Sequence, residues 1–520
     1  MPVKQWIHDL TGKKQYGRYY EKEDRRRRLL AQIYSLLAVL ASVVYLVWLF
    51  TRLNLDVWWL SLPYYLCELA GLAGFISFAF VCWYPRYHRE EGLPVEETRP
   101  VDVFVTVCGE PFGIVSETIL AATRIQYEHK TIYVLDDKGD AQVRGLAERL
   151  GVQYMARPFQ NNAKAGNLNY ALQRTTGELI LTLDADQVPD PKIVSTLVGY
   201  FRIPRIGFVQ TIQRFYVPKG DPFCNSDPIF YGIMQPGKDT DNAAFSCGSG
   251  VMYRRAALEQ IKGFSTWNLV EDLHTSMLLH DNGWHSIFHN TPLSVGTTPT
   301  DIDSIYKQRQ QWAADSLRIL FWDNPYTKRG LSLHQKFQYA HIGFVYLFAG
   351  FMMPVFYILP ILALTTGQFV IATEFWRYLL YRVPALIFSF AAYKSFIPIS
   401  AFYRATNTWL GYFPCYIAGT VQALWFRRRK PTYQVNVKTW DRKSIPSQLL
   451  GLSPQLLFIV LSLGAIPYGF IAATGNLDML AISSLWALWT IDTLRWVVVA
   501  PFKLKSAERQ VSPVPKHVRL

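Results

Sequence analysis

The stretch GELILTLDADQ, residues 177–187, decides the fold: a run of apolar and β-branched residues of strand length ends abruptly in two acids, Asp184 and Asp186. The same texture recurs on either side, in VDVFVTV (101–107), KTIYVLDD (130–137) and IGFVQTIQ (206–213), with helical stretches such as AQVRGLAERL (141–150) between. Strands alternating with helices predict an α/β domain over about 100–325, with a mostly parallel sheet whose carboxyl edge carries the site.

The acids at that edge suggest the chemistry. Residues two apart on an extended chain point the same way, so Asp184 and Asp186 can meet one hard cation, Mg²⁺ or Mn²⁺, bridging a nucleotide diphosphate. Asp136 and Asp137 end a second strand where a nucleotide could rest, although DDKGD also reads as an Asx turn. Between the two pairs lies NNAKAGNLN (161–169), in which Lys164 can reach a phosphate as a point charge and Ala163, Ala165 and Gly166 admit close backbone approach. Asp272, in LVEDLHTSMLLHDNGW, is a carboxylate placed to take a proton from an acceptor hydroxyl; Glu271 and Asp272 read equally as first-turn charges of a helix. In YKQRQQW, Trp312 offers an apolar face to a sugar ring beside Gln308, Arg309 and Gln311.

Composition separates the chain into two textures. It is 50% hydrophobic and 15% aromatic over 520 residues, yet mean hydropathy is only +0.07, so its apolar residues are clustered around a polar domain. Apolar blocks near the ~20 residues that span a bilayer cover about 29–50 and 57–83 before the α/β region, and 341–364, 379–400, 406–426, 449–473 and 479–501 after it. The net charge of +14 includes Arg25 to Arg28 and Arg427 to Lys430, both beside apolar blocks, which fits anchoring to anionic lipid rather than nucleic acid binding. If all five later blocks crossed, Arg427 to Lys430 would face outward. The block at 406–426, which holds Asn407, Gly411, Pro414, Gly419 and Gln422, is therefore expected in the interface. Six spanning helices remain, with both termini and the α/β domain cytoplasmic. The six cysteines show neither CxxC nor Cys/His ligand spacing, which argues against a zinc site or a disulfide framework.

Taken in order, LDDKGD (135–140), NAKAGNLN (162–169), DAD (184–186), CGSG (247–250) followed by Arg254 and Arg255, VED (270–272), QRQQW (308–312) and YQVNVK (433–438) resemble the family-2 processive glycosyltransferases, most closely bacterial cellulose synthase catalytic subunits. The resemblance implies a GT-A (Rossmann-like) α/β domain inserted in an α-helical transmembrane domain of about six spanning helices plus interface helices, in the plasma (inner) membrane. It also implies polymerisation of glucose from UDP-glucose, with Mg²⁺ or Mn²⁺, into a β-glucan that leaves through the helices, where accessory secretion subunits would receive it. Asp136 and Asp137 match the uridine-contacting pair, Lys164 the lysine near the diphosphate, and Asp184 and Asp186 the metal-associated DxD. Cys247 and Gly248 match the segment at the acceptor end, Asp272 the general base, and Trp312 the tryptophan that stacks on the acceptor. Gln308, Arg309 and Gln311 fall in the donor-binding motif, and Lys438 takes the lysine position of a gating loop at 433–438.

Departures from the pattern limit what is implied. Gln311 stands where the family has a phosphate-binding arginine, and a neutral amide cannot supply that charge, so Arg309, or the metal with Lys164, is expected to hold the pyrophosphate. Val270 replaces the threonine of TED, Asn436 that of the gating loop, and CGEP (108–111) lacks the aromatic beside uracil. About twenty residues follow Pro501, so no cyclic-di-GMP-binding barrel is expected there, and a β-glucan other than cellulose is in view. The domain reading is 1–28, a cytoplasmic segment; 29–99, a hairpin; 100–325, the GT-A domain; 326–501, interface and channel helices with the gating loop; and 502–520, a tail. Rival readings are a transferase adding one sugar to a lipid, a chitin- or hyaluronan-type synthase using UDP-N-acetylglucosamine, and a scaffold that has lost catalysis.

Overall fold

The computed structural model describes residues 25–88, 98–217, 221–268, 270–397, 399–425, 427 and 444–508. Two helices lead, α1 (Arg25–Phe50) and α2 (Trp58–Val81), joined by a short turn whose Asn54 side chain accepts from the amide of Asp56. The α/β domain follows as β1 (Val101–Val107), α3 (Phe112–Thr123), β2 (Lys130–Asp136), α4 (Ala141–Leu150), β3 (Gln153–Met155), α5 (Ala163–Leu172), β4 (Leu179–Asp184), β5 (Val188–Pro189), α6 (Ile193–Leu197), β6 (Ile206–Phe215), α7 (Gln235–Thr240), β7 (Val251–Arg254), α8 (Arg255–Gln260), α9 (Glu271–Asp281) and β8 (His285–Gly296).

These eight strands form one sheet in the order β3-β2-β1-β4-β7-β6-β8-β5. Strands β1 to β4 are parallel, as expected, but β7 runs antiparallel between β4 and β6, and β5 pairs antiparallel with β8. The sheet is thus mixed, and with β6 and β8 parallel four of its seven pairings keep the expected parallel direction. Its central strands read as continuous apolar runs because both faces are covered: Val103, Val105, Leu181 and Leu183 enter one core cluster, and Phe104, Ile180 and Phe208 another. In register, Val107 lies opposite Asp136 and Thr106 opposite Asp184, so the acidic ends of β2 and β4 flank the end of β1 at one level.

After the sheet come α10 (Ile302–Trp322), α11 (Leu333–Leu347), which continues through a wide turn at Phe348–Met352 into α12 (Met353–Thr366), α13 (Phe375–Phe396), α14 (Ile399–Gly411), α15 (Phe413–Trp425), α16 (Ile445–Gly451), α17 (Ser453–Ile471) and α18 (Leu477–Glu508). Among the described residues five helical segments are long and apolar enough to cross a membrane: Arg25–Phe50, Leu55–Val81, Leu333–Thr366, Ser453–Ile471 and Leu477–Lys503. The sixth expected span, the block at 379–400, is not among them. It belongs to α13, 22 residues long, which carries Arg377, Arg382 and Lys394. The block at 406–426 is broken into α14 and α15, of 13 residues each, both shorter than the ~20 residues a crossing needs.

Contacts between helices set their direction. Arg27 Nε donates to the Ser395 carbonyl while Trp48 stacks on Tyr381 at 4.6 Å, so α13 runs antiparallel along α1. The turns after α1 and α12 meet: Ala372 N donates to Arg52 O and Asn54 N to Val370 O. At the opposite end the α/β domain docks, with Arg86 N donating to Pro236 O and Lys238 Nζ to the Gln338 carbonyl at 2.7 Å.

Candidate active site

The sheet edge sorts the predicted acids into different jobs. Asp136 is fully buried, and its carboxylate accepts from the amides of Lys138, Gly139 and Asp140 and from the Tyr154 hydroxyl. It closes the DDKGD turn, the second of the two roles the sequence left open. Asp137 is held bidentately by Arg157, Nε on Oδ1 at 2.5 Å and Nη2 on Oδ2 at 2.7 Å. Arg157 had no motif to mark it. Its guanidinium also donates to the carbonyls of Asn161 and Ala163, and a Cβ on Gly166 would sit 2.2 Å from its Nη1. The close approach expected at Gly166 is real, but it is made by the chain's own arginine and the Asn161 carbonyl.

Lys164, on the first turn of α5, ties three elements together. Its Nζ lies 2.6 Å from Asp184 Oδ1 at the end of β4 and 3.1 Å from Glu271 Oε1 at the start of α9, and it donates to the Gly248 carbonyl at 2.8 Å. Burial acts to lower the pKa of this ammonium, but Asp184 and then Glu271 outweigh it and hold it well above the ordinary lysine value. Glu271, read from sequence only as a first-turn charge, is therefore part of the site. Gly248 has φ +81°, and a Cβ there would lie 3.0 Å from Lys164 Nζ and 3.2 Å from Asp272 Oδ2. Only a residue without a side chain fits both the backbone and the space.

The two acids of DxD differ in exposure and in partners. Strand β4 ends at Asp184, and Ala185 and Asp186 form a turn, so the two-residue alternation of an extended chain stops before it reaches Asp186. The Asp184 side chain is 36% exposed, whereas Asp186 is buried and accepts from both the amide and the hydroxyl of Thr297, at 3.0 and 2.6 Å. No cluster of three or more His, Cys, Asp or Glu that could hold a metal occurs among the described residues. Hard oxygen donors few in number still suit Mg²⁺ or Mn²⁺ on a nucleotide, because such ions take one or two carboxylates and complete their shell with phosphate oxygens and water.

Asp272 begins α9, with Oδ1 accepting from the Leu273 amide at 2.6 Å. Burial and then Glu271 raise its carboxyl well above the ordinary aspartate value, and Lys164 opposes them. Asp272 lines a cavity of about 750 Å³ that also takes in Cys247 and Trp312 and reaches Glu68, Arg382 and Trp486 on the membrane-length helices and α13. From QRQQW this cavity receives Arg309 and Trp312 but neither Gln308 nor Gln311, which are half-buried on α10. Arg309 sits over the Trp312 ring at 5.0 Å with Nη1 3.4 Å from Asp227, another residue no motif announced. It faces the cavity rather than Lys164 and Asp184. Trp312 is 36% exposed, an apolar face presented to that space. Lys438 and the expected gating loop lie outside the described residues.

Residues 99–314 match the glycosyltransferase like family 2 model, and residues 259–411 match the cellulose synthase model. Among curated relatives, the cellulose synthase 1 catalytic subunit (UDP-forming) of Komagataeibacter xylinus is 29% identical over 91% of this chain and 67% of its own length. Cellulose synthase 2 of Novacetimonas hansenii is 30% identical over 96% of this chain, and the catalytic subunit from Xanthomonas axonopodis pv. citri is 31% identical over 52%. The chain spans only 32% and 40% of the length of these two. A mannosyltransferase from Pyrobaculum calidifontis, solved with GDP-Man and Mn²⁺, superposes with a TM-score of 0.52 at 16% identity, covering 70% of this chain and all of the other; it supports the GT-A fold. The chain thus carries a glycosyltransferase like family 2 domain over the sheet and a cellulose synthase domain over α9 to α14, with relatives named as cellulose synthases along most of its length.

Proposed function

We propose that this chain polymerises glucose from UDP-glucose into a β-glucan and passes the product along the cavity between its helices, across the plasma (inner) membrane, with the α/β domain cytoplasmic. The observation that carries this reading is the continuity of one space: Asp272 and Trp312 at one end, and side chains of α1, α2, α13 and α18 at the other. A transferase releasing a single glycolipid does not need such a path. The relatives named as UDP-forming cellulose synthases support the donor and the polymer, and α13, lying antiparallel along α1, is the natural sixth crossing.

In this reaction Asp272 removes the proton from the terminal hydroxyl of the glucan. That oxygen then bonds to the anomeric carbon of the donor as the bond from that carbon to UDP breaks, with inversion. A carboxylate with a raised pKa is a better proton acceptor than an exposed one, which suits this work. Lys164 holds a fixed positive charge beside Asp184, where the leaving diphosphate gathers negative charge. Mg²⁺ or Mn²⁺, held by Asp184 and Asp186, would supply further charge stabilisation to the diphosphate. Asp137, braced by Arg157, lies at the nucleotide end, and Cys247, Gly248 and Trp312 at the acceptor end.

The test is product analysis. Purified chain given labelled UDP-glucose should yield a polymer degraded by linkage-specific β-glucanases, and Asp272→Asn should bind UDP yet form no polymer. A single glycolipid, a polymer formed only from UDP-N-acetylglucosamine, or normal synthesis by the variant would each overturn the assignment.

A further inference from the structure

Helix α9, which carries Asp272, starts without a capping side chain of its own, because Val270 at its N-cap has no oxygen to offer. A partner comes from another helix. The Val270 amide donates to Asp315 Oδ2 at 2.8 Å, and the fully buried Asn268 side chain donates to the Asp315 carbonyl at 3.1 Å. Asp315 lies one turn beyond Trp312 on α10, is 3% exposed, and lines the same cavity as Trp312 and Asp272. A carboxylate this deeply buried is costly unless hydrogen-bonded and paired, and here the Val270 amide and the Arg318 charge on the same helix offset that cost.

We infer that Asp315 is a positioning residue for the transfer step: it fixes the start of the base-bearing helix to the helix that carries the acceptor platform, and sets a second buried carboxylate in the cavity that the base lines. The inference rests on Asp272 acting as the base. The groups around that carboxyl are Glu271 on its own helix, Lys164 on α5, Asp315 on α10, Cys247 in the preceding loop, Tyr253 on β7 and Tyr231 ahead of α7. Of these, Lys164 favours the ionised base, whereas Glu271 and Asp315 disfavour it. Removing the Asp315 charge while keeping an acceptor for the Val270 amide therefore lets Asp272 ionise at lower pH.

The experiment follows UDP release from UDP-glucose by the purified full chain across pH for wild type, Asp315→Asn and Asp315→Glu, with thermal unfolding as a control for folding. Asp315→Asn should move the acid limb of kcat/KM to lower pH. Asp315→Glu, which keeps the charge but displaces the contact, should keep the wild-type limb and lose roughly tenfold or more in kcat through misplacement of the base. Should Asp315→Asn fail to fold, Asp315→Ser, neutral and smaller with a hydroxyl acceptor, carries the same expectation. An acid limb unmoved in the folded neutral variant overturns the inference, since a merely structural role changes rate and stability but not that limb. Asp272→Asn assayed alongside separates the two levels: activity retained there removes the base assignment itself, whereas loss there with an unmoved limb in Asp315→Asn removes only the role of Asp315.

Discussion

At the scale of single residues the site is set by one glycine and three charges. Gly248 lets Lys164, Asp272 and Glu271 converge, and a methyl group at this position meets both Lys164 and Asp272 while the backbone stays at φ +81°. Gly248→Ala is predicted to lower kcat by roughly ten- to a hundredfold, as expected when a base is displaced by a fraction of an ångström, with UDP binding measured by calorimetry changed less. The raised pKa of Asp272 gives a second expectation. As the proposed base, Asp272 works only when ionised, so kcat/KM is expected to fall as pH drops through a value above the ordinary aspartate range, and a profile flat down to that range contradicts it. Asp184, Asp272, Lys164 and Trp312 were legible because each sits in a motif whose residue type matches its chemistry. Arg157, Asp227, Glu271 and Asp315 were not, since each acts through a partner tens of residues or more away in sequence, and nothing local marks such a pairing.

At the scale of elements, α9 and α10 are tied together by two buried or half-buried carboxylates. Asp315 holds the Val270 amide at the start of α9, and one turn on His274 places Nε2 2.8 Å from Asp323 Oδ2 just past α10, while Ser265 Oγ meets His274 Nδ1 at 2.6 Å. His274→Ala removes both hydrogen bonds, leaving Asp323 to Lys328 Nζ at 2.8 Å and Ser265 to the Trp267 amide, and should cost about 1–3 kcal/mol of stability. It should also reduce polymer formation more than UDP binding; equal losses of both would contradict the linkage. Apolar patterning revealed β1, β2, β4 and β6 but neither the presence nor the direction of β7. VMYR is four residues long with a helix directly after it, and its antiparallel setting comes from pairing on both sides with β4 and β6. Charge placement and composition likewise set 406–426 apart from the expected crossings, and there the structure has two helices of 13 residues each.

At the scale of the whole molecule, the cavity joins a wet site to a set of membrane-length helices, and its far part holds a buried ion pair. Arg382 lies 2.8 Å from Glu68, which also accepts from Tyr45 and Tyr64, and the guanidinium sits over the rings of Tyr45 and Trp486. Arg382→Ala strands the carboxylate and should destabilise the chain by about 3–5 kcal/mol, read as thermal unfolding in detergent, whereas Glu68→Gln combined with Arg382→Met should recover most of that loss. The α/β domain is joined to this bundle without slack. A Cβ on Gly237 would lie 1.9 Å from the carbonyl oxygen of Val81, so α7 is seated directly on the last turn of α2. For the proposed enzyme this seat acts as a thrust bearing. With no clearance for α7 to settle further onto α2, each added sugar is expected to be accommodated by advance of the polymer, with the domain held in place.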